Sequence, residues 1–456
     1  VKHSKYTFFY SLLCCLAFTS CDKYLDIQPR GKTLLTTVTD YDQWMNDPVI
    51  NESFTASGVM NVVGDNYDYV SITTPPTSLG ELLYTWAPQF SVDLGVAPEF
   101  WGYHYKIINK FNTVLNGIGD ATGGTNAQRA SLRAEALLGR AFEYFYLLNE
   151  YAKPYDPATA NQDLAVPFVT SNDVTQVVPP RSTVEFVYNT IIADLNAALP
   201  DLPSDNSNNR YRGSQAAAYS LLARIYFYAR NYTEARKYAE LALNNTRAVM
   251  LNYNGTLPTA AILMSVYPEA LYSRQLQGNA VPTLDFLRSF TSNDLRLKTL
   301  YLSSDNYALT TRGKTTYEPS RRTPALTYVN SGTSVPEMKL IVAESAARSN
   351  DLTTALQQLD ELRKNRYATA NYVPFQSNDK ELVLQEVLLE RSHELPFSGL
   401  RWFDMRRLDK ENRMGPVRRY NAQNGLVATL EPHSDRYTFQ IPVQVTAFNP
   451  GMPQNP

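Results

Sequence analysis

The stretch SQAAAYSLLARIYFYARNYTEARKYAELAL, residues Ser214 to Leu243, decides the fold class. Leu222, Ile225, Tyr226 and Ala229 recur at helical spacing in its first half. Ala235, Tyr238, Ala239 and Ala242 do so in its second, so each half reads as a helix with one apolar face. Asn231 marks the break between them. Alanines let two helices approach closely, and the tyrosines and leucines fill the remaining spaces. A hairpin of this tetratricopeptide type cannot bury its apolar face alone, so the chain must supply neighbours to stack on it.

Such neighbours can be read on both sides. Arg133 to Tyr151 is a long amphipathic helix with Ala134, Leu137, Leu138, Ala141, Phe145 and Leu148 along one side. Leu340 to Arg363 repeats the helix, turn, helix layout, with Ser349, Asn350 and Asp351 at the break and Ala355 placed like Ala235. Val184 to Leu199 reads as a helix capped by Ser182, with Glu185 completing a capping box. Thr39 is placed to cap Thr39 to Asn46, and Lys380 to Leu395 is a further helix. The expected fold is therefore mainly all-α: a tetratricopeptide-like helical-hairpin scaffold with long irregular loop regions and few short strands. The scaffold falls in 101–152, 183–248, 336–364 and 380–395. Between these, 47–100 and 252–335 lose the helical period and become rich in polar and aromatic residues, the composition of loops that carry function.

The N-terminus reads as a leader. Lys2, His3 and Lys5 precede an apolar run, Phe8 to Phe18, that is too short to span a membrane stably, and Thr19 and Ser20 then precede Cys21. Residues 1–20 are the expected signal peptide and 21–32 an extended tether. The three cysteines, Cys14, Cys15 and Cys21, all lie here, so the processed chain has no internal disulfide, and Cys21 reads as a lipidation site.

A formal charge of −2, from 42 basic and 44 acidic residues, leaves no basic excess to neutralise phosphates and excludes nucleic acid as an expected partner. The 31 tyrosines outnumber 19 phenylalanines, which suits sugar-binding faces as well as helix packing. His104, His393 and His433 are not at metal-ligand spacing, and no G-x-S-x-G occurs, so no metal, cofactor or catalytic residue is expected. Paired carboxylates of a glycoside hydrolase are brought together in space and leave no sequence spacing, so an all-α glycosidase is the enzymatic alternative. A helical-repeat adaptor for other proteins is another.

Several segments resemble one family. Cys21 followed by DKYLDIQPRGK, Asp22 to Lys32, resembles the mature start of the SusD/RagB nutrient-binding lipoproteins, and TDYDQWMN, Thr39 to Asn46, resembles their first helix. LYTWAPQF, Leu83 to Phe90, and EFWGYHYKIINKFNTVL, Glu99 to Leu115, are similar to a tryptophan segment leading into an asparagine-bearing helix. The most specific likeness is the helix Lys380 to Leu395 followed by PFSGLRWFDMRRL, Pro396 to Leu408. It carries Glu386, Glu390, Arg391, Glu394, Arg401, Trp402, Asp404, Arg406 and Arg407. So many charges beside Trp402 and Phe403 suggest partly buried guanidinium–carboxylate pairs that lock the end of the scaffold. The tail Phe439 to Pro456 resembles the family's closing segment, in which an Ile-Pro strand leads to Asn-Pro.

The likeness covers 33–456 as one SusD-like domain. It implies a lipid-anchored protein of the outer membrane, facing outward, that captures a glycan, or alternatively a peptide, without turnover. Delivery would be to a SusC-like TonB-dependent transporter. In that family the ligand surface is built from irregular insertions. The ligand-binding candidates are therefore Asp65, Asn66, Tyr67 and Tyr69 in the first loop region and Tyr272, Arg274 and Tyr307 in the second.

Overall fold

The computed structural model describes residues 35–51, 59–69, 72–256, 262–277, 280–301, 328–421 and 423–456. The leader, the tether, Cys21 and Tyr307 lie outside the described residues.

The scaffold helices are α1 (Val38–Trp44), α2 (Trp101–Gly117), α3 (Asn126–Tyr151), α4 (Val184–Ala198), α5 (Gln215–Tyr228), α6 (Tyr232–Asn244), α7 (Val335–Arg348), α8 (Leu352–Arg363), α9 (Lys380–Glu394) and α10 (Arg401–Asp409). They pack largely as successive neighbours: α2 on α3, α3 on α4, α5 on α6, α6 on α7, and α7 on both α8 and α9. The β-structure among the described residues is four separate two-stranded antiparallel ladders. The fold is thus the expected helical-hairpin scaffold with few short strands.

The two hairpins α5/α6 and α7/α8 use the same turn. Arg230 and Asn350 take left-handed φ values of 64° and 65°. The next residues, Asn231 and Asp351, accept the backbone N–H of Glu234 and Thr354 and so cap the second helix of each pair. Ala235, Ala239 and Ala242 on α6, and Ala355 on α8, are buried at the contacts.

Three local expectations need correction. Thr183, not Ser182, caps α4 by accepting from the Phe186 N–H, and the predicted box with Glu185 is not formed; Ser182 lies in the strand Arg181–Thr183, which pairs with Leu164–Pro167. Thr37, not Thr39, caps α1, in a reciprocal box with Asp40. Both helices begin where the extended chain supplies a hydroxyl at the right backbone angle, a feature set by the preceding β pairing. The Ile441-Pro442 segment is not a strand; it leads into a short helix, Val443–Phe448.

Neither α5 nor the second half of α3 has the single buried face that the period implies. Leu221, Leu222, Ala223, Arg224 and Ile225 are all at 0% exposure, because α5 is surrounded by α4, α6, α7 and the ladder 270–272/333–334. Gly139 is needed where α3 meets α2, since a Cβ there would lie 2.1 Å from the Phe111 ring.

Candidate functional site

The charged segment at the C-terminal end is buried and almost entirely paired. Arg407 bridges Glu344 (2.6 and 2.9 Å) and Asp404 (2.8 Å), and Asp404 also receives Arg391 at 3.1 Å. Glu390 meets Arg363 (2.5 Å) and Arg296 (2.6 Å), while Glu394 meets Arg296 (2.9 Å) and Arg366 (2.7 Å). Arg224 on α5 grips Glu337 on α7 with two contacts of 2.7 and 2.6 Å. Burial opposes ionisation of Glu390, but the Arg296 and Arg363 guanidinium groups overcome it and hold its pKa down at about 2. Arg406 has a different role: it donates to the carbonyls of Asn149 and Ala152 at the end of α3, and burial lowers its pKa to about 9.

This rigid end positions the first loop region. Asn61 donates to the Phe397 carbonyl at 2.8 Å and accepts from the Gly399 N–H at 3.0 Å. Arg401, from the predicted signature, holds Asp65 through two bonds of 2.6 Å. Burial would raise the Asp65 pKa, but Arg401 outweighs it and keeps the carboxyl below its usual range.

The hairpin Val417–Tyr420/Leu426–Leu430 supplies the second clamp. Its buried Arg419 donates to the carbonyls of Val62 (3.0 Å), Gly64 (2.7 Å), Tyr67 (2.7 Å) and Tyr84 (3.1 Å). The same guanidinium lies over the rings of Tyr84 and Trp86 at 4.3 and 4.5 Å.

The two predicted loop regions meet. Tyr67 pairs with Pro282 in an antiparallel bridge, the Asp68 N–H donates to the Val281 carbonyl at 2.8 Å, and the Thr283 N–H to the Asn66 carbonyl at 2.9 Å. Beside this junction lies a cleft of about 700 Å³, walled by Asp65 and Asp68, by Thr283 to Asp285, and by residues 414–420 and 424 of the hairpin segment. It falls within the size range of small-ligand sites and is lined by carboxylates, the guanidinium groups of Arg418 and Arg419, and aromatic and aliphatic groups.

The sequence candidates divide accordingly. Asp65 lines the cleft. Asn66 is buried beside it, and neither atom of its side-chain amide has a hydrogen-bond partner among the described residues. Tyr67 is half-buried, edge-on to Phe397 at 6.5 Å, with its pKa pushed up to about 12 by burial. Tyr69 is half-buried against Tyr84 at 5.8 Å.

Tyr272 and Arg274 are elsewhere, at 2% and 1% exposure. Tyr272 lies edge-on to Phe142 in the core and accepts from Arg274, which stacks 4.0 Å from its ring and also donates to the carbonyls of Ser273 and Tyr211. Their polar and aromatic character serves packing, and they present no surface to a ligand.

Sequence reasoning missed the hairpin residues Arg418 and Asn424 and the acid Asp285. For the first two the available signal was a pair of short runs bearing β-branched and aromatic residues, VRRY and LVATL, that flank the Asn- and Gly-containing turn at 421–425 and so read as a β-hairpin; Asp285 carries no such signal. Among the described residues no group of three or more His, Cys, Asp or Glu could hold a metal ion, and no helix is long and apolar enough to cross a membrane.

Comparison with known proteins agrees with this architecture. Residues 23–227 match the sequence model of a family described as starch-binding, associating with the outer membrane, and residues 336–456 match that of the SusD family. A SusD-like protein of Bacteroides ovatus is 27% identical over 261 residues, which cover 52% of this chain but only 44% of that relative. A SusD superfamily protein from Bacteroides vulgatus superposes with a TM-score of 0.73 at 21% identity, covering 92% of this chain and 99% of the other. A putative sugar binding protein from the same organism gives 0.73 at 20% identity, covering 93% and 99%. The two sequence matches flank the second loop region, and the solved structures share the whole scaffold that carries it: the chain belongs to the SusD/RagB family.

Proposed function

We propose that this chain is a nutrient-capturing lipoprotein of the outer membrane, anchored through Cys21 and facing outward. It takes a glycan into the cleft between the 65–69 turn, the 283–285 segment and the 414–424 hairpin, and passes it to a SusC-like TonB-dependent transporter. Residues 33–456 form the ligand-binding unit. The observation that carries this reading is the cleft itself, where the first irregular region is pinned by Arg401 and Arg419 and the second is tied to it by main-chain pairing. A site fixed before binding limits the ordering cost that a polyhydroxylated ligand would otherwise impose. The family description, starch-binding, and the naming of one structural relative as a putative sugar binding protein support a carbohydrate.

Asp65, held ionised by Arg401, is not the protonated carboxyl that a glycosidase needs on its leaving group, and capture without turnover is the reading proposed here. In the cleft Asp65, Asp285 and Arg418 act as acceptors and donor for ligand hydroxyls.

The test is titration of the soluble form beginning after Cys21 with a panel of polysaccharides, oligosaccharides and peptides, with product analysis of each mixture. Saturable glycan binding without new reducing ends, weakened about tenfold or more by Asp285→Ala or Arg418→Ala, is the expected result. Peptide binding alone would reassign the ligand, and new reducing ends would make the chain an enzyme.

A further inference from the structure

A second hollow, independent of the nutrient reading, shares no lining residue with the cleft. It measures about 550 Å³ and lies between the face of α2 that bears Trp101, Tyr105 and Ile108, the loop 167–179, and Val445 and Asn449 at the short helix Val443–Phe448. That volume is in the range of small-ligand sites.

Its floor is apolar and fixed. Trp101 and Ile108 are buried, and the Trp101 ring packs 5.1 Å from the rings of both Tyr105 and Tyr151. Phe168 stacks on Tyr144 at 4.2 Å. The loop is pinned on both sides of Phe168. The Tyr105 hydroxyl donates to the Pro167 carbonyl at 2.6 Å, and the Val169 N–H donates to the Tyr144 hydroxyl at 2.7 Å. Asn112 and Asn116 donate to the carbonyls of Val169 (2.9 Å) and Thr170 (3.0 Å). The ring surface therefore stands in place before anything binds, which limits the ordering cost of binding. Val174 and Val177 also line the hollow and are 85% and 94% exposed, so they form its rim. An apolar occupant would remove from water a surface that the rest of the chain leaves uncovered.

The polar groups of the lining decide the chemistry of that occupant. The lining has no Lys, Arg or His, and its one acid, Asp173, already accepts from the Thr175 N–H (2.9 Å) and hydroxyl (2.7 Å). A charged ligand would lose its hydration over Trp101 and Phe168 without gaining a counter-ion. A sugar would need partners for its hydroxyls, yet the amide nitrogens of Asn109, Asn112 and Asn449 are committed to the carbonyls of Asn172, Val169 and Val445, and the Asn112 amide oxygen accepts from Arg140. The groups left over, among them Thr170 and Gln176, suit one polar substituent rather than a ring of hydroxyls. What dominates is the ring surface of Trp101, Tyr105 and Phe168, and such rings pair with another flat ring in offset or edge-on contact. We propose that this hollow is a second binding site, which takes an uncharged small molecule built on an aromatic ring.

The experiment photolabels the full chain in its own membrane with benzophenone, an uncharged aromatic ketone, and maps the adducts by peptide mass spectrometry. The expected result is saturable labelling within 98–112, 167–179 and 445–449, reduced about tenfold or more by excess biphenyl and unchanged by decanol or maltoheptaose. Val174→Asp with Val177→Asp reduces it by a similar factor, and both side chains are exposed, so the core stays intact. Leu426→Asp, at a residue 57% exposed and outside the hollow, leaves the labelling unchanged. The proposal is overturned by the absence of saturable adducts in those segments, or by labelling that survives biphenyl or the valine pair. It is equally overturned by labelling that falls as far with Leu426→Asp, or by decanol or maltoheptaose competing as strongly as biphenyl, which would make the site one for alkyl chains or for glycans.

Discussion

The hairpin α5/α6 and the segment α9/α10 are both helical and both buried, yet they are held in opposite ways. In the hairpin, Ala235, Ala239 and Ala242 bring two backbones together, and the contact depends on small volume. In the segment, Glu390, Arg391, Asp404 and Arg407 are equally inaccessible, and the contact depends on every charge having its partner. The first tolerates a change of chemistry better than a change of size; the second tolerates neither when one member of a pair is lost.

The largest expected effect breaks the charged side of this comparison. Glu344→Ala leaves Arg407, and Arg348 beside it, without the carboxylate they share, and should cost about 3–5 kcal/mol in urea unfolding. A loss below 1 kcal/mol would mean that the network contributes specificity rather than stability.

Acid should weaken the same region. Glu390 has a folded pKa of about 2 against an ordinary 4.5, so its contribution is fully present above the higher value and disappears as pH falls from about 5 towards 2. His393, held neutral at about 3 by burial and by Arg296, acts in the same direction below its ordinary 6.5. His104, between Glu143 (2.7 Å) and Glu150 (3.2 Å), does the reverse. Burial opposes its charge, the two glutamates raise its pKa to about 9, and its contribution is lost as pH rises from 6.5 through 9. Unfolding midpoints measured across pH should therefore fall on both flanks; a flat profile between pH 5 and 3 would contradict the acid limb.

On the apolar side, Ala239→Leu should cost about 1–3 kcal/mol by forcing α5 and α6 apart, with the same urea assay as the check. The smallest effect sharpens a local point. Thr183→Ala should remove about 1 kcal/mol from α4, and Ser182→Ala only a few tenths; the opposite order would restore Ser182 as the cap.

Much of the scaffold was legible because helix period, alanine placement and capping residues are local properties. The matching turns at Asn231 and Asp351 and the buried Ala355 follow directly from the sequence. Cap identity at Thr37 and Thr183 was not, since it depends on which residue the preceding extended chain leaves at the right backbone angle. The candidate site was legible only as regions. Asp65 reached the cleft, but Tyr272 and Arg274, read as candidates on the same grounds of polar and aromatic character, turned into the core against Phe142. Composition cannot tell a tyrosine that faces a ligand from one that fills a gap between helices.

By itself the sequence determined a helical-hairpin scaffold, the likeness of its ends to one family, and the presence of a charged segment that had to be paired, because spacing and residue type suffice for each. Only the tertiary structure decided which charges meet, that Arg401 and Arg419 tie the 59–69 segment to the C-terminal third, and that residues some 200 positions apart form one cleft wall. Those contacts are non-local, and what selects them is the requirement that every buried charge and carbonyl find a partner once the helices have stacked.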